Sequence, residues 1–272
     1  MKILDGAELA SFIKQRQAKQ VRSLRQAHSI VPCLAIVQTV DDPVIETYVR
    51  LKQEYGADIE VEVQVHRVEP EQVKSTIEKL NTDDAVQGII VQLPLASGLD
   101  IDDTLESVAP HKDVDGLNSK SDFDAATPQA ILWLIDGYNL ALEGKHIALV
   151  GKGRLVGGPL LKRLQERGLD TSVYEDDVAD LGAVLAQAEV IISATGVAGL
   201  IKSEMSAPNT VLIDAGVAVE GTKTMGDVAN DVYERSDLTI TPKKGGVGPL
   251  TVCALFENVL LASSRQAPTT SS

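Results

Sequence analysis

The chain has 272 residues with 44% hydrophobic and 24% charged content and a formal net charge of −14, an ordinary composition for a soluble globular enzyme. A chain of this length accommodates two modest domains or one large one, with a sizeable core. The acidic balance excludes a nucleic-acid partner, because holding phosphates requires a basic face. The two cysteines, Cys33 and Cys253, lie in apolar stretches without metal or redox spacing, which points to a reducing cytoplasm. Met1-Lys2-Ile3-Leu4-Asp5-Gly6 lacks the apolar run of a signal peptide, and no stretch of about twenty apolar residues is expected to span a membrane.

Helical and strand patterns alternate along the chain, which predicts α/β architecture with parallel sheets. Residues 7–27 read as a long polar helix, and the apolar run 32–39 reads as a buried strand. Asp41-Asp42-Pro43 opens a helix in which Val44, Tyr48, Leu51 and Tyr55 recur on one face, and Gly56 closes it. Lys52 stands one turn after Tyr48 beside that stripe. A partly desolvated ammonium there has a lowered pKa and suits proton transfer near neutral pH; a lysine snorkelling past a packed tyrosine fits the same pattern. A half-exposed strand (59–68), a helix from Pro70 to about Leu80 and a strand (86–93) follow. Ligands gather beyond the carboxyl ends of parallel strands, so Gln92 is a candidate contact or, alternatively, an amide capping a loop. In Lys112-Asp113-Val114-Asp115-Gly116, two carboxylates on an extended segment point the same way, as a patch for a polar ring or as a solvated acidic turn.

From about Lys120 the character changes. Thr127-Pro128 starts a helix to Leu140, and a strand (145–150) runs into Gly151-Lys152-Gly153-Arg154-Leu155-Val156-Gly157-Gly158-Pro159. Strand, glycine turn and helix together build a phosphate site from backbone N–H groups, although the G-x-G-x-x-x-G spacing is one residue longer than the usual dinucleotide fingerprint. Helix (160–167), strand (171–174), helix (181–187) and strands (190–194 and 211–214) continue a Rossmann-like succession. Glu175-Asp176-Asp177 ends its second strand, where an acid binds the ribose hydroxyls of NAD; a helix N-terminus favours the same acids. Thr195-Gly196 and Ala215-Gly216 are further turns on the cofactor side. Residues 241–251 form a glycine-rich loop feeding a helix to about Ala262, and the tail, 265–272, reads as frayed.

Seven motifs in order, Tyr48-Val49-x-x-Lys52, Val91-Gln92-Leu93-Pro94-Leu95, Lys112 to Gly116, Thr127-Pro128, Val156-Gly157-x-Pro159, Gly226-Asp227-Val228 and Gly245 to Thr251, span the chain. With them it resembles the bifunctional methylenetetrahydrofolate dehydrogenase/cyclohydrolases. The resemblance implies a catalytic α/β domain (1–119, completed by a C-terminal helix at about 250–264), a Rossmann-like NAD(P)-binding domain (120–249), a folate cleft between them, and a homodimer. It implies Lys52 as the acid/base group, Tyr48 orienting the proton and stacking near the pterin, Gln92 holding the lysine, and Asp115 gripping the ring. Gly248 and Pro249 are implied substrate contacts. Gly151, Lys152, Gly153, Arg154, Val156, Gly157, Asp176, Thr195, Gly196 and Gly216 are implied to hold the dinucleotide, with no metal.

The departures from the family pattern concern the cofactor. The family commonly carries Gly-Arg-Ser where this chain has Gly151-Lys152-Gly153, and serine where it has Asp176; the arginine and serine serve the 2′-phosphate of NADP, so NAD is favoured here. Lys152 or Arg154 remains a possible source of the missing charge. Lys243-Lys244 replaces a Val-Pro, which predicts a looser loop or an attraction for a polyglutamate tail or a cofactor phosphate. Another Rossmann oxidoreductase of a small metabolite, and a folate-binding protein without catalysis, stay open as alternatives.

Overall fold

The computed structural model describes residues 1–220 and 223–266, which divide into two compact units. Residues 267–272 of the predicted tail lie outside the described residues, whereas Arg265 and Gln266 belong to the last helix.

One unit comprises Ser11–Ala126 and the chain from Val252 onward. Its three-stranded parallel sheet has the order β3-β2-β4, with β2 (Cys33–Gln38) between β3 (Glu62–Arg67) and β4 (Gly88–Gln92). A continuous apolar run suits the central strand, whose six residues are all buried. On one face Cys33, Ala35 and Val37 pack with Ile89 and Val91 against Val73, Ile77 and Leu80 of α3 (Val73–Thr82), each fully buried apolar side chain contributing about 1.5–3 kcal/mol. Helix α2 (Pro43–Ile59) joins β2 to β3. It runs past Gly56, the residue predicted to close it, and Gly56 serves packing instead: a side chain at 56 would meet Val63 and the Val61 carbonyl, so the bare glycine lets helix and strand approach. Glu60, in the left-handed region, ends the helix instead, its N–H donating to the Ala57 and Gly56 carbonyls. Tyr55 stacks on Phe256 with ring centroids 4.9 Å apart, and its hydroxyl donates to Gln17 Oε1 at 2.7 Å.

The other unit comprises Met1–Ala10 and Thr127–Thr251. Its sheet has six strands, all parallel, in the order β1 (Lys2–Ile3), β11 (Thr239–Ile240), β8 (Val211–Asp214), β7 (Val190–Ser193), β5 (Ile147–Val150), β6 (Thr171–Tyr174). The first ten residues, predicted to belong with 11–119, join this sheet because β1 pairs with β11 and the Ala7 N–H donates to the Gly245 carbonyl. The chain leaves β5 for β6 on one side and returns to β7 on the other, so the connection reverses at β5. Helices α5 (Ala126–Gly137), α6 (Gly157–Glu166) and α7 (Leu181–Leu185) accompany the sheet, and β9 (Ala218–Glu220) pairs antiparallel with β10 (Lys223–Met225).

The last helix, α8 (Val247–Gln266), starts four residues earlier than Thr251, so the end of the predicted loop, 247–251, forms its beginning. Contrary to the sequence expectation, α8 is long and apolar enough to cross a membrane by length and composition. Its apolar side chains, among them Leu255, Phe256, Val259 and Leu260, are buried in the protein, which explains the composition.

Candidate active site

Asp42 caps α2, its carboxylate accepting from Val44 and Ile45 N–H while Pro43 takes the first turn. The buried residues of α2 are Ile45, Val49, Tyr55, Gly56 and Ile59, whereas Leu51 of the predicted stripe is 44% exposed. The core-facing stripe therefore runs Ile45, Val49, Lys52, Gly56, Ile59, and Lys52 occupies one of its positions rather than its edge. That placement aims the lysine at the carboxyl end of β4, where Nζ donates to Gln92 Oε1 at 2.7 Å. Gln92 Nε2 in turn donates to the Leu93 carbonyl at 2.9 Å, which fixes the amide oxygen toward the lysine.

Burial pushes the Lys52 ammonium below the ordinary lysine range, and the Asp115 carboxylate pulls it partly back. Burial likewise pushes Asp115 up, with Lys52 pulling it back. Both groups are thus displaced toward neutrality, which suits a lysine that takes and returns protons. The Tyr48 phenol, half-buried, is raised by burial and stays protonated, a donor at neutral pH. Lys52, Gln92, Tyr48 and Asp115 all belong to one unit, and the first three stand on the two elements that the β2-β4 edge brings together.

The segment carrying Asp115 is a turn, not the extended run predicted. The Gly116 N–H donates to the Asp113 carbonyl at 3.1 Å, and Gly116 has φ +70, where a side chain would press on Ala125 backbone. The two carboxylates take different partners. Asp113 is buried, accepts from the Asn118 N–H at 2.8 Å, and has its pKa raised by burial to about 6. It shapes the loop, while Asp115 serves Lys52. Asn258 of α8 steadies the same turn by donating to the Val114 and Asp124 carbonyls, both at 2.9 Å.

In the other unit the glycine turn follows β5 at the point where the connection reverses, the usual place for a ligand in a parallel sheet. Gly151 has φ +89, and a side chain there would meet the Ala194 carbonyl and Thr195 Cγ2, so the 151 turn and the 194–196 turn touch. A side chain on Gly157 would collide with the Gly151 carbonyl. Val156 precedes α6 without a side-chain cap; in the first turn the Gly158 N–H donates to the Gly153 carbonyl at 3.0 Å and Pro159 has no N–H, so Gly157 carries the N–H that faces the loop. Lys152, Gly153 and Arg154 are exposed there, and Asp176 is exposed just beyond β6. A cradle that side chains would fill, beside an uncapped helix start, fits the diphosphate of a dinucleotide.

Behind these turns stand two carboxylates, Asp227 buried and Asp214 half-buried, to which no role is assigned by sequence. Asp227 Oδ2 accepts from Ser193 Oγ and from the Thr195 N–H, each at 2.7 Å. Asp214, at the end of β8, accepts from the Gly216, Asp227 and Val228 N–H groups at 3.0 to 3.1 Å. Burial, and secondarily Asp227, raise the Asp214 pKa. The signal was present as Gly226-Asp227-Val228, where Gly226 admits the Asp214 carboxylate and Gly216 admits that of Asp227. Gly248 and Pro249 lie in the first turn of α8 and group with this unit, not with Lys52. The loop before them is tied rather than loosened by Lys243, whose Nζ donates to Asn230 Oδ1 at 2.8 Å and lies 4.9 Å from the Tyr233 ring centroid.

A family model described as the tetrahydrofolate dehydrogenase/cyclohydrolase catalytic domain matches residues 4–115, and the NAD(P)-binding domain model of the same family matches 125–267. The bifunctional protein FolD of Exiguobacterium sibiricum is 33% identical over 275 residues, 96% of this chain and 99% of that protein. A crystal structure of the bifunctional FolD methylenetetrahydrofolate dehydrogenase/cyclohydrolase from Campylobacter jejuni superposes with a TM-score of 0.91 at 32% identity, covering 97% of this chain and 99% of that one. The Trypanosoma brucei enzyme, solved with NADP and an inhibitor, gives 0.90 at 26% identity, covering 97% of each chain.

Proposed function

We infer the reaction from one premise: the chain belongs to the tetrahydrofolate dehydrogenase/cyclohydrolase family. It oxidises 5,10-methylene-tetrahydrofolate to the 5,10-methenyl cation with a nicotinamide dinucleotide and hydrolyses that cation to 10-formyl-tetrahydrofolate. The observation that carries the assignment is the 2.7 Å hydrogen bond from Lys52 Nζ to Gln92 Oε1, with Asp115 acting on the same ammonium. When bound, the dinucleotide supplies the hydride acceptor. In hydrolysis the neutral Lys52 amine takes a proton from water as its oxygen adds to the methenyl carbon. It returns that proton to the ring nitrogen N5 as the C–N5 bond breaks, and the remaining hydroxyl proton leaves to solvent. Gln92 keeps the amine in place through the cycle, and Asp115 and Tyr48 hold the pterin.

Gly151, Gly153, Val156, Gly157, Thr195, Gly196 and Gly216 would hold the dinucleotide, and Lys152 and Arg154 would supply positive charge for its phosphates. NAD is preferred over NADP. The support is Asp176, an exposed carboxylate beyond β6 where the family carries serine, together with Lys152-Gly153 in place of arginine and serine. The working form is a cytoplasmic homodimer, supported by the family resemblance. Mixing purified protein with methylene-tetrahydrofolate and either dinucleotide, and following reduced-nicotinamide absorbance, tests the reading. Faster turnover with NAD is expected. Turnover of a hydroxy or keto acid without a folate response, or folate binding without turnover, overturns it, and a monomer in light scattering overturns the dimer.

A further inference from the structure

We propose that Asp227 is a positioning residue for the dinucleotide: it clamps the Ser193–Gly196 strand end in the conformation that borders the Gly151 turn. This rests on the reading that the six-stranded unit binds a nicotinamide dinucleotide. Asp227 is wholly buried, and one oxygen, Oδ2, receives both the Ser193 hydroxyl and the Thr195 N–H. Two donors on one oxygen pin residues on either side of Ala194, whose carbonyl is the group that Gly151 approaches. The position of Asp227 is itself fixed, because its N–H and that of Val228 are held by Asp214, which also holds the Gly216 N–H. The carboxylates of Asp214 and Asp227 thus join the turns after β7 and β8 into one frame around the reversal point, without standing in the glycine cradle themselves. The second oxygen, Oδ1, is buried against Gly216 and has no hydrogen-bond partner among the described residues. A buried acceptor left unpaired costs stability, so its retention beside two turns of the cradle fits a part in binding better than a part in the core.

The test compares Asp227→Leu, Asp227→Asn and Ser193→Ala with the wild type. Dinucleotide dissociation constants come from reduced-nicotinamide fluorescence, with KM for each substrate, methenyl hydrolysis and thermal melting measured alongside. Asp227→Leu, which removes the acceptor, is expected to weaken dinucleotide binding roughly tenfold or more, the scale of one or two lost hydrogen bonds. Asp227→Asn retains a carbonyl oxygen for Ser193 and Thr195 and is expected to stay within about threefold of the wild type; Ser193→Ala, losing one donor, falls between the two. Hydrolysis, which uses no dinucleotide, and KM for the folate are expected to stay at the wild-type level in all three. Unchanged dinucleotide affinity in Asp227→Leu overturns the proposal, as does a parallel loss of hydrolysis and binding. Should Asp227→Leu fail to fold, wild-type affinity in Ser193→Ala overturns it. A wild type that binds dinucleotide without oxidising the folate overturns the reaction assignment while the affinity comparison still decides the role of Asp227; a wild type that binds none overturns both.

Discussion

The two units solve the same topological problem with different materials. Each is a parallel sheet in which the chain reverses direction, at β2 in one and at β5 in the other, and each gathers its candidate groups at carboxyl strand ends. In the three-stranded unit those groups are side chains: an ammonium hydrogen-bonded to an amide, with a phenol and a carboxylate, the three titratable groups displaced in pKa. In the six-stranded unit they are mainly backbone, exposed by glycines whose missing side chains leave the room. The difference follows from the chemistry required. Moving protons requires titratable groups with tuned pKa values, whereas holding an anion requires N–H groups and close approach.

Substitutions break this contrast from opposite sides. The largest effect is expected from Lys52→Met, which lowers methenyl hydrolysis by on the order of 10²–10⁴-fold while the protein stays folded and binds dinucleotide; normal hydrolysis by folded variant sinks the assignment. Gly157→Ala strikes the backbone-built site: its added carbon meets the Gly151 carbonyl, and a loss of about 2–3 kcal/mol, read as a fall in Tm, is expected together with weaker dinucleotide binding. Asp115→Asn removes the charge that lifts the Lys52 pKa, so the ammonium deprotonates at lower pH. The rising limb of the hydrolysis profile then moves toward acid, and a shift toward base refutes the pairing.

Asp113 offers a finer contrast within one loop. Its folded pKa of about 6 lies above the ~3.9 of an unfolded aspartate, so the native state binds the extra proton between those values. Stability from this group is full below the lower value and is lost as pH rises through the upper one. Asp113→Asn keeps an acceptor for the Asn118 N–H and should flatten that slope in urea titrations between pH 4 and 7, without the change in hydrolysis that Asp115→Asn brings. The smallest effect belongs to Lys243→Val, which forfeits an exposed hydrogen bond and ring contact for less than about 1 kcal/mol in Tm or urea midpoint.

Much of the frame was legible. The central strand β2 announces itself as an apolar run, and β6 and β8 match their predicted ranges, because buried parallel strands leave a continuous signal. The pairing of Lys52 with Gln92 was anticipated through the resemblance rather than through periodicity. Periodicity misplaced the stripe of α2, since Leu51 is apolar yet exposed and Lys52 is charged yet faces the core; a pattern of residue types cannot register a functional lysine as a core position. The different partners of Asp113 and Asp115 were hidden because a glycine turn at 116 replaces the extended segment that the alternation assumed. Asp227 stayed without a role because its partners, Ser193 and Thr195, lie more than thirty residues earlier in the chain, and only the folded loop beside Asp214 brings them together.

The place of Lys52 on the buried stripe of α2 sets selection for heat resistance against selection for turnover. An apolar residue at 52 would complete Ile45, Val49 and Ile59, and it would relieve a cation that burial disfavours. Libraries of this chain ranked by melting temperature alone are therefore expected to enrich apolar residues at that position, and on the proposed role of Lys52 a screen that scores hydrolysis is expected to retain the lysine.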